Sequence, residues 1–134
     1  MSRGHILVVD DDESLRRVMQ VQLEDLGYDV ATAADGDAAL RSLQLSVREL
    51  VISDLKMPGM SGLDLLKSVR AAYPETIVVV VTAFGTVESA VEAMKLGAYD
   101  YITKPVHPDA LELCASLIKT CVQLLRRMAA IKVS

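Results

Sequence analysis

Four short apolar runs rich in β-branched residues, separated by segments with helical periodicity, constrain the fold of this chain more than any other feature. The runs cover residues 6–9, 50–52, 77–81 and 99–103, and a weaker run covers residues 28–33. Unbroken apolar runs are typical of strands that are covered on both faces, whereas the weaker run alternates large apolar residues with polar or small ones. We therefore predict five strands, of which the weaker run is the second.

The segments between these runs carry apolar residues at the spacing of an amphipathic helix. In chain order, the residues are Leu15, Val18, Met19, Leu23 and Leu26; Ala38, Ala39, Leu40 and Leu43; Leu63, Leu66 and Val69; Val87, Ala90, Val91 and Met94; and Leu111, Cys114, Leu117 and Ile118. Gly27 and Gly97 follow the first and fourth groups, where glycine ends a helix, and Thr86 is a suitable N-cap for the fourth. Pro108 precedes the fifth group, where proline favours a helix start.

Strand and helix therefore alternate five times, with connections of a few residues. This alternation indicates an α/β fold with a parallel sheet and helices on both faces. Because crossover connections are right-handed, few topologies remain. We predict one domain, a doubly wound, flavodoxin-like three-layer sandwich with the strand order 2-1-3-4-5.

Charge and hydropathy argue against two kinds of partner. The formal net charge is −4, whereas a nucleic-acid surface needs clustered Lys and Arg. The longest apolar run, residues 77–81, is far too short to span a bilayer, and the N-terminus has no apolar stretch of signal-peptide length. We expect a soluble, cytoplasmic protein that contacts neither nucleic acid nor membrane through this chain.

Polar residues stand at the carboxyl ends of four predicted strands. The first strand ends in Asp10, Asp11 and Asp12, and the third ends in Asp54. The fourth ends in Thr82 followed by Ala83, and the fifth ends in Lys104 followed by Pro105. In open parallel sheets, ligands bind outside the carboxyl ends of the strands, and the predicted order makes the first and third strands neighbours at the switch point. The aspartates of these two strands should therefore lie together, flanked by a hydroxyl group and an ammonium group.

A cluster of carboxylates is unfavourable by itself, because like charges a few ångströms apart repel and raise each other's pKa. A hard divalent cation relieves the repulsion, and oxygen ligands suit Mg²⁺ or Mn²⁺. The two histidines, His5 and His107, stand apart from these strand ends and are expected to be surface residues, which argues against Zn²⁺. We expect a magnesium or manganese site with Asp10, Asp11 and Asp54 as the acidic residues.

Four of these polar residues also have an ordinary structural interpretation, which is weaker for Asp10 and Asp11 because the strand delivers them to the site. Asp12 stands at a predicted helix start, where an acidic side chain favours the helix dipole. Asp54 could begin a turn, and Thr82 could be a β-branched strand end. Lys104 could be a solvated residue at the rim of the sheet.

Four motifs at these strand ends resemble those of bacterial response-regulator receiver domains. They are Val-Val-Asp-Asp at residues 8–11, Asp-Leu-Lys-Met-Pro-Gly at 54–59, Val-Thr-Ala at 81–83 and Lys-Pro at 104–105. The resemblance covers about residues 4–125, and residues 83–88 and 104–108 look most like the receivers of NtrC-like transcriptional activators. It implies a receiver domain over residues 1–125 and a helical extension or the start of a linker over residues 126–134.

The resemblance implies a role for each residue that matches a motif. Asp54 would be the phosphoacceptor. Asp11 and Asp54 would hold Mg²⁺ directly, with the main-chain carbonyl of Lys56 as a third ligand. Asp10 would hold the ion through water, and Lys104 would pair with a phosphoryl oxygen.

Four further residues match the switch and its surroundings. Thr82 would bond to the phosphoryl group, and Tyr101 stands at the position of the aromatic residue that then turns inward. Pro105 matches a proline whose preceding peptide bond is usually cis, and the small Ala83 would leave the phosphoryl group open to a partner or to water. One departure from the family is Val106, which stands where many receivers have Phe.

The implied function is that of a regulatory switch rather than of an enzyme with a separate substrate. A sensor histidine kinase would donate the phosphoryl group, and the chain would catalyse only its own phosphorylation and dephosphorylation. The added charge would act on Thr82 and Lys104 and change the face formed by the fourth helix, the fifth strand and the fifth helix. That face would control an output, by resemblance transcription, through an effector domain or a homodimer formed by the fourth and fifth helices.

The C-terminal segment leaves two interpretations open. Cys114, Ile118, Cys121, Leu125 and Met128 follow the 4-3-4-3 spacing of a coiled-coil seam, but two heptads are short. They form either a dimer seam or linker, or a core stripe followed by a tail. The two cysteines are roughly 10 Å apart along a helix, which is too far for an intrahelical disulfide. Whether the chain is a stand-alone regulator or a fragment stays open.

Other function classes share parts of this pattern. A flavodoxin-like electron carrier needs a phosphate loop rich in hydroxyl groups and glycine, where this chain has three aspartates. A haloacid-dehalogenase-like phosphatase needs a second acid two residues after its nucleophile, where this chain has Lys56. A degenerate, non-phosphorylated module would have lost an acid, the threonine or the lysine. A Rossmann dehydrogenase is excluded because the chain lacks G-x-G-x-x-G.

Overall fold

A five-stranded parallel sheet is the centre of the computed structural model, which describes residues 2–83 and 85–119. The strands are β1 (His5–Val9), β2 (Asp29–Ala33), β3 (Leu50–Asp54), β4 (Ile77–Thr82) and β5 (Asp100–Thr103). They pair in the order β2-β1-β3-β4-β5, so the predicted fold class and strand order are confirmed. Asp54 is the last residue of β3, as the sequence predicts, and it pairs with Val81 of β4.

A helix follows each strand. The helices are α1 (Glu13–Asp25), α2 (Gly36–Leu45), α3 (Gly62–Ala72), α4 (Val87–Lys95) and α5, which the structure describes over residues 108–119. The predicted cap Thr86 accepts a hydrogen bond from the N–H of Ser89 at the start of α4. Gly27 follows α1 with a φ of 98°, a left-handed conformation that glycine adopts without strain.

Alternate strand residues build a core on each side of the sheet. On one side, Ile6 and Val8 belong to a cluster that contains residues of α1 and α5. On the other side, Leu7 and Val9 belong to a cluster that contains residues of α2, α3 and α4. Burial on both faces explains why the central strands consist of unbroken apolar runs.

Gly62, the first residue of α3, allows the helix to approach the end of β3 closely. A Cβ atom here would overlap the main-chain carbonyl oxygen of Asp54 and would lie 2.6 Å from the Cα of Leu55. The N–H of Gly62 donates to the carbonyl oxygen of Leu55 at 2.8 Å. Because main-chain atoms cannot swing aside as a long side chain does, this contact holds the connection beside Asp54 in place.

The apolar stripe that marks α4 in the sequence is not the buried face of that helix. Val87, Val91 and Met94 are 82%, 47% and 47% exposed, whereas Ala93 is fully buried. The helix therefore rests on the sheet through a small side chain, and its larger apolar groups project to solvent. Clustered apolar groups at a surface are typical of contact sites.

The C-terminal stripe falls into two parts. Cys114 and Ile118 are buried in the core cluster beneath α5. Cys121, Leu125 and Met128 lie outside the described residues, as does the predicted extension. Within the two described ranges, no helix has the length and apolar character needed to cross a membrane.

Burial raises the pKa of the Cys114 thiol to about 11, with a smaller contribution from the charge of Asp100. We expect this thiol, in a Cys121→Ser variant that leaves it as the single cysteine, to react slowly with iodoacetamide at pH 8. Its thiolate fraction is about two orders of magnitude below that of a thiol with a pKa of 9.0. Labelling rates in native buffer and in urea, followed by mass spectrometry, check this. Equal rates in the two conditions would contradict the burial of Cys114.

Candidate functional site

The carboxyl ends of β1 and β3 bring three carboxylates together. Asp10 follows β1 and is 1% exposed, whereas Asp54 ends β3 and is 8% exposed. Asp11, the residue after Asp10, is exposed. One oxygen of each carboxylate lies within 4.8 Å of the other two. In residues 2–83 and 85–119, this is the one group of three acidic, His or Cys ligands at such spacing.

The ammonium group of Lys104 lies between two of these carboxylates. Its Nζ donates to Oδ2 of Asp10 at 2.7 Å and to Oδ2 of Asp54 at 3.1 Å. The main-chain N–H of Lys104 donates to the carbonyl oxygen of Thr82 at 2.9 Å, which ties the ends of β4 and β5 together. The Lys104–Pro105 peptide bond is cis, and Pro105 is exposed.

The charges in this site do not balance. Burial raises the pKa of the Asp54 carboxyl group above its usual value of 3.8; Lys104 acts in the opposite direction, and the charge of Asp10 adds to the rise. Burial lowers the pKa of Lys104, but the hydrogen bonds and charges of Asp10 and Asp54 outweigh it, so the net change is upward. The acidic side chains around the site, Asp10, Asp11, Asp12 and Asp54, outnumber the two lysines that line it, Lys56 and Lys104, so the site keeps an excess of negative charge.

A cavity of about 350 Å³ opens beside the carboxylates. It is lined by four aspartates, two lysines and two apolar residues, namely Asp10, Asp11, Asp12, Asp54, Lys56, Lys104, Leu15 and Ala83. Ala83 and Lys56 are exposed, so the cavity is open to solvent on this side. The main-chain N–H of Lys56 also donates to Oδ1 of Asp54 at 3.4 Å, which places the β3–α3 connection against that carboxylate.

Asp12 is the N-cap of α1, which was one of its two interpretations. Its Oδ1 accepts from the N–H of Leu15 at 3.1 Å. Its own N–H donates to Oδ1 of Asp10 at 2.9 Å. The turn after β1 therefore has two roles: the N–H of Asp12 orients the Asp10 carboxylate, and the side chain of Asp12 caps α1.

The two predicted switch residues have different surroundings. Thr82 is the last residue of β4 and is fully buried. Tyr101 lies on the neighbouring strand β5, and its hydroxyl oxygen is 2.8 Å from Oγ of Ser89 on α4. Tyr101 is not part of the cavity lining, so in this structure its hydroxyl group contacts α4 rather than the carboxylate cluster.

Sequence reasoning missed two residues that contact the predicted site residues. Nη1 of Arg16 donates to the main-chain carbonyl oxygen of Asp10 at 2.8 Å, and Ser89 bonds to Tyr101. Arg16 is a basic residue near the N-terminus of α1, where the helix dipole disfavours positive charge, and this mismatch could have indicated a specific partner. Ser89 carried no signal beyond its place three residues after the predicted cap Thr86.

The arrangement suits attack by a carboxylate on a phosphoryl group. Asp54 borders an open cavity, and the ammonium group of Lys104 can bind an anionic oxygen. The convergent carboxylates offer hard oxygen ligands to a cation. They suit a phosphate-binding loop of an electron carrier poorly, because carboxylates repel phosphate unless a metal intervenes.

Residues 6–116 match the family model described as the response regulator receiver domain. AlgB of Pseudomonas aeruginosa, an alginate biosynthesis transcriptional regulatory protein, is 42% identical over 130 residues, which are 97% of this chain and 29% of that protein. The transcriptional regulatory protein ZraR of Escherichia coli K12 is 44% identical over 107 residues, which are 80% of this chain and 24% of that protein. This chain therefore spans less than a third of the length of either relative.

Solved structures show the same fold. NtrX from Brucella abortus superimposes with a TM-score of 0.87 at 36% identity, over 98% of this chain and 30% of that one. A response regulator receiver domain protein from Clostridium thermocellum superimposes with a TM-score of 0.85 at 32% identity, over 91% of this chain and 98% of that one. With the matched motifs at four strand ends, these similarities establish that the chain belongs to the response regulator receiver domain family.

Proposed function

We propose that this chain is a switch in which Asp54 accepts a phosphoryl group from the phosphohistidine of a sensor histidine kinase. The observation that carries the proposal is the convergence of three carboxylates and one ammonium group at an open cavity. Asp10, Asp11 and Asp54 supply the negative charge, and Lys104 supplies the positive charge. Membership of the receiver family supports the same assignment.

The cluster fits Mg²⁺ or Mn²⁺. Its donors are carboxylate oxygens, and the raised pKa of Asp54 reflects burial and nearby negative charge. Asp11 and Asp54 would hold the ion directly with the main-chain carbonyl of Lys56, and Asp10 would hold it through water. When bound, the ion would offset the repulsion between the carboxylates and stabilise charge on the phosphoryl oxygens.

Asp54 is the nucleophile in this proposal. One carboxylate oxygen attacks phosphorus in line with the phosphorus–nitrogen bond of the donor, that bond breaks, and the departing imidazole nitrogen takes up a proton from solvent. Lys104 exchanges its 3.1 Å contact with Asp54 for a phosphoryl oxygen and keeps its 2.7 Å contact with Asp10. The small Ala83 leaves the acyl phosphate open to water, which allows hydrolysis.

The phosphoryl group then acts on β4 and β5. The hydroxyl group of Thr82 would donate to a phosphoryl oxygen, and Tyr101 would turn toward the space that Thr82 leaves. Lys104 and Thr82 would move together, because the main-chain N–H of Lys104 bonds to the carbonyl oxygen of Thr82. The chain would catalyse only its own phosphorylation and dephosphorylation.

The proposed output surface is formed by α4, β5 and α5. Exposed apolar side chains occur on each element or beside it, namely Val87, Val91, Met94, Tyr99 and Leu113. A second copy of the chain or an effector domain would cover them. AlgB and ZraR are longer transcriptional regulatory proteins, so we propose transcription as the output.

The domain boundaries belong to the same proposal. Residues 1–125 would form the receiver, and residues 126–134 would form a helical extension or the start of a linker. As the family resemblance implies, the chain would act in the cytoplasm with a sensor kinase as its donor.

We expect Asp54→Asn to abolish phosphorylation, because an amide is a far weaker nucleophile than a carboxylate. Intact mass after incubation with Mg²⁺ and a small-molecule phosphodonor measures this. Asp12→Asn is the matched control and should be phosphorylated like the wild type, because asparagine also caps a helix. A phosphorylated Asp54→Asn chain would contradict the assignment.

We also expect Asp54→Asn to melt a few degrees higher than the wild type in EDTA at pH 7. The folded-state pKa of Asp54 is raised, so its ionisation destabilises the fold as the pH rises through that pKa, and the amide removes this cost. Mg²⁺ should raise the melting temperature of the wild type more than that of the variant.

The control for this measurement is Asp109→Asn, since the side chain of Asp109 is 85% exposed. It should change the free energy of unfolding by less than about 1 kcal/mol, because its ion pair with His107 is exposed. A lower melting temperature for Asp54→Asn than for the wild type in EDTA would contradict the excess of negative charge in the site.

Val91→Glu should weaken dimer formation in beryllofluoride and Mg²⁺ by at least about tenfold, because it places a charge in the proposed apolar contact. Sedimentation at several concentrations measures the dimer. Val21→Glu on α1 is the matched control, with 43% exposure at Val21 against 47% at Val91. A wild type that stays monomeric, or equal effects of the two variants, would contradict a dimer through α4.

A further inference from the structure

The hydroxyl group of Tyr101 is bonded to a helix. Its oxygen lies 2.8 Å from Oγ of Ser89, in the first turn of α4. Tyr101 lies on β5, so this hydrogen bond joins the side chains of two elements that the proposed function assigns to the output surface. If Tyr101 moves, it therefore loses or alters a hydrogen bond to α4.

Ser89 also caps α4. Its N–H donates to Oγ1 of Thr86 at 3.0 Å, and its Oγ accepts from the N–H of Thr86 at 3.0 Å, which together form a capping box. A serine hydroxyl group has one proton and two lone pairs. Oγ of Ser89 also donates to the carbonyl oxygen of Thr86 at 3.0 Å, so its bonds to Thr86 and to Tyr101 use the whole hydroxyl group. The cap of α4 and the position of Tyr101 thus share one hydroxyl group.

Gly85 has no side chain, and this makes room for Tyr101. A Cβ atom at Gly85 would lie 2.6 Å from the hydroxyl oxygen of Tyr101 and 3.0 Å from its Cε1. The tyrosine ring therefore lies against the main chain at Gly85. Displacement of the main chain between β4 and α4 acts on Tyr101 through Gly85 and through Ser89 at once.

We propose that Ser89 is a positioning residue of the switch, whose hydroxyl group holds Tyr101 against α4 before phosphorylation. We name this contact the Ser89–Tyr101 latch. It rests on the proposed function and adds a residue that the four receiver motifs do not contain. When Thr82 is drawn toward the phosphoryl group, the connection to α4 shifts, Tyr101 leaves Ser89, and the hydroxyl group of Ser89 serves the cap alone.

Ser89→Ala, Tyr101→Phe and the double variant test the latch in the unphosphorylated full chain. Amide NMR signals of α4 report the ratio of switched to unswitched conformers, with the wild type in beryllofluoride and Mg²⁺ as the switched reference. Each single variant should raise this ratio about fivefold, the effect of one neutral hydrogen bond. The double variant should raise it no further, because both changes remove the same bond.

Two controls separate the latch from the cap. Ser89→Thr keeps a hydroxyl group and should keep the wild-type ratio within about twofold. Thr86→Ala removes the side-chain oxygen that accepts from the N–H of Ser89, and it keeps both the main-chain bonds of residue 86 to Ser89 and the bond between Ser89 and Tyr101. It should therefore speed hydrogen exchange in the first turn of α4 without raising the ratio.

An unchanged ratio in Ser89→Ala, additive effects in the double variant, or a Thr86→Ala ratio as high as that of Ser89→Ala would overturn the latch. A wild type whose α4 signals do not respond to beryllofluoride and Mg²⁺ would refute the proposed function and the latch with it. A normal wild-type response that is independent of both hydroxyl groups would refute the latch alone.

Discussion

The site depends on the two hydrogen bonds that the ammonium group of Lys104 donates to Asp10 and Asp54. Two largely buried carboxylates and a third beside them repel one another, and this cation offsets part of the repulsion. Because Lys104 follows β5, its side chain reaches past β4 to the ends of β1 and β3. Lys104 thus joins the acidic cluster to β4 and β5, the strands that are proposed to move. A phosphoryl group that binds the ammonium group of Lys104 therefore acts on the cluster and on these strands.

The strands that carry the acidic cluster, β1 and β3, are well packed, whereas the helix α4 buries little surface. Apolar residues fill both faces of β1 and β3, and the close approach at Gly62 holds the connection beside Asp54. By contrast, α4 buries a single small side chain, Ala93, and leaves its larger apolar groups in solvent. This combination suits a switch. The chemistry needs a nucleophile in a fixed position, which a well-packed strand provides, and the response needs a helix that can move at a small cost in free energy.

The fold and the grouping of the acidic residues could be predicted from the sequence. Contacts between side chains of different elements could not. Unbroken apolar runs and right-handed crossovers were enough to predict that Asp10 and Asp54 end neighbouring strands. The bond from Arg16 to the main chain of Asp10 and the bond between Ser89 and Tyr101 follow no spacing rule, because they depend on how each helix lies on the sheet. The periodicity of α4 likewise marked a helix correctly without showing which of its faces is covered.

The amino-acid sequence alone determined the alternation of strand and helix and the strand order. It also determined that acidic, hydroxyl and ammonium groups stand at the carboxyl ends of the strands. These features follow from local hydrophobic periodicity and chain connectivity, which are properties of residues close in sequence. The tertiary structure alone decided that Tyr101 bonds to α4, that the ammonium group of Lys104 bridges two carboxylates, and that the apolar stripe of α4 faces solvent. Those features depend on ångström-scale distances between distant residues, and only the packing of all the elements together sets such distances.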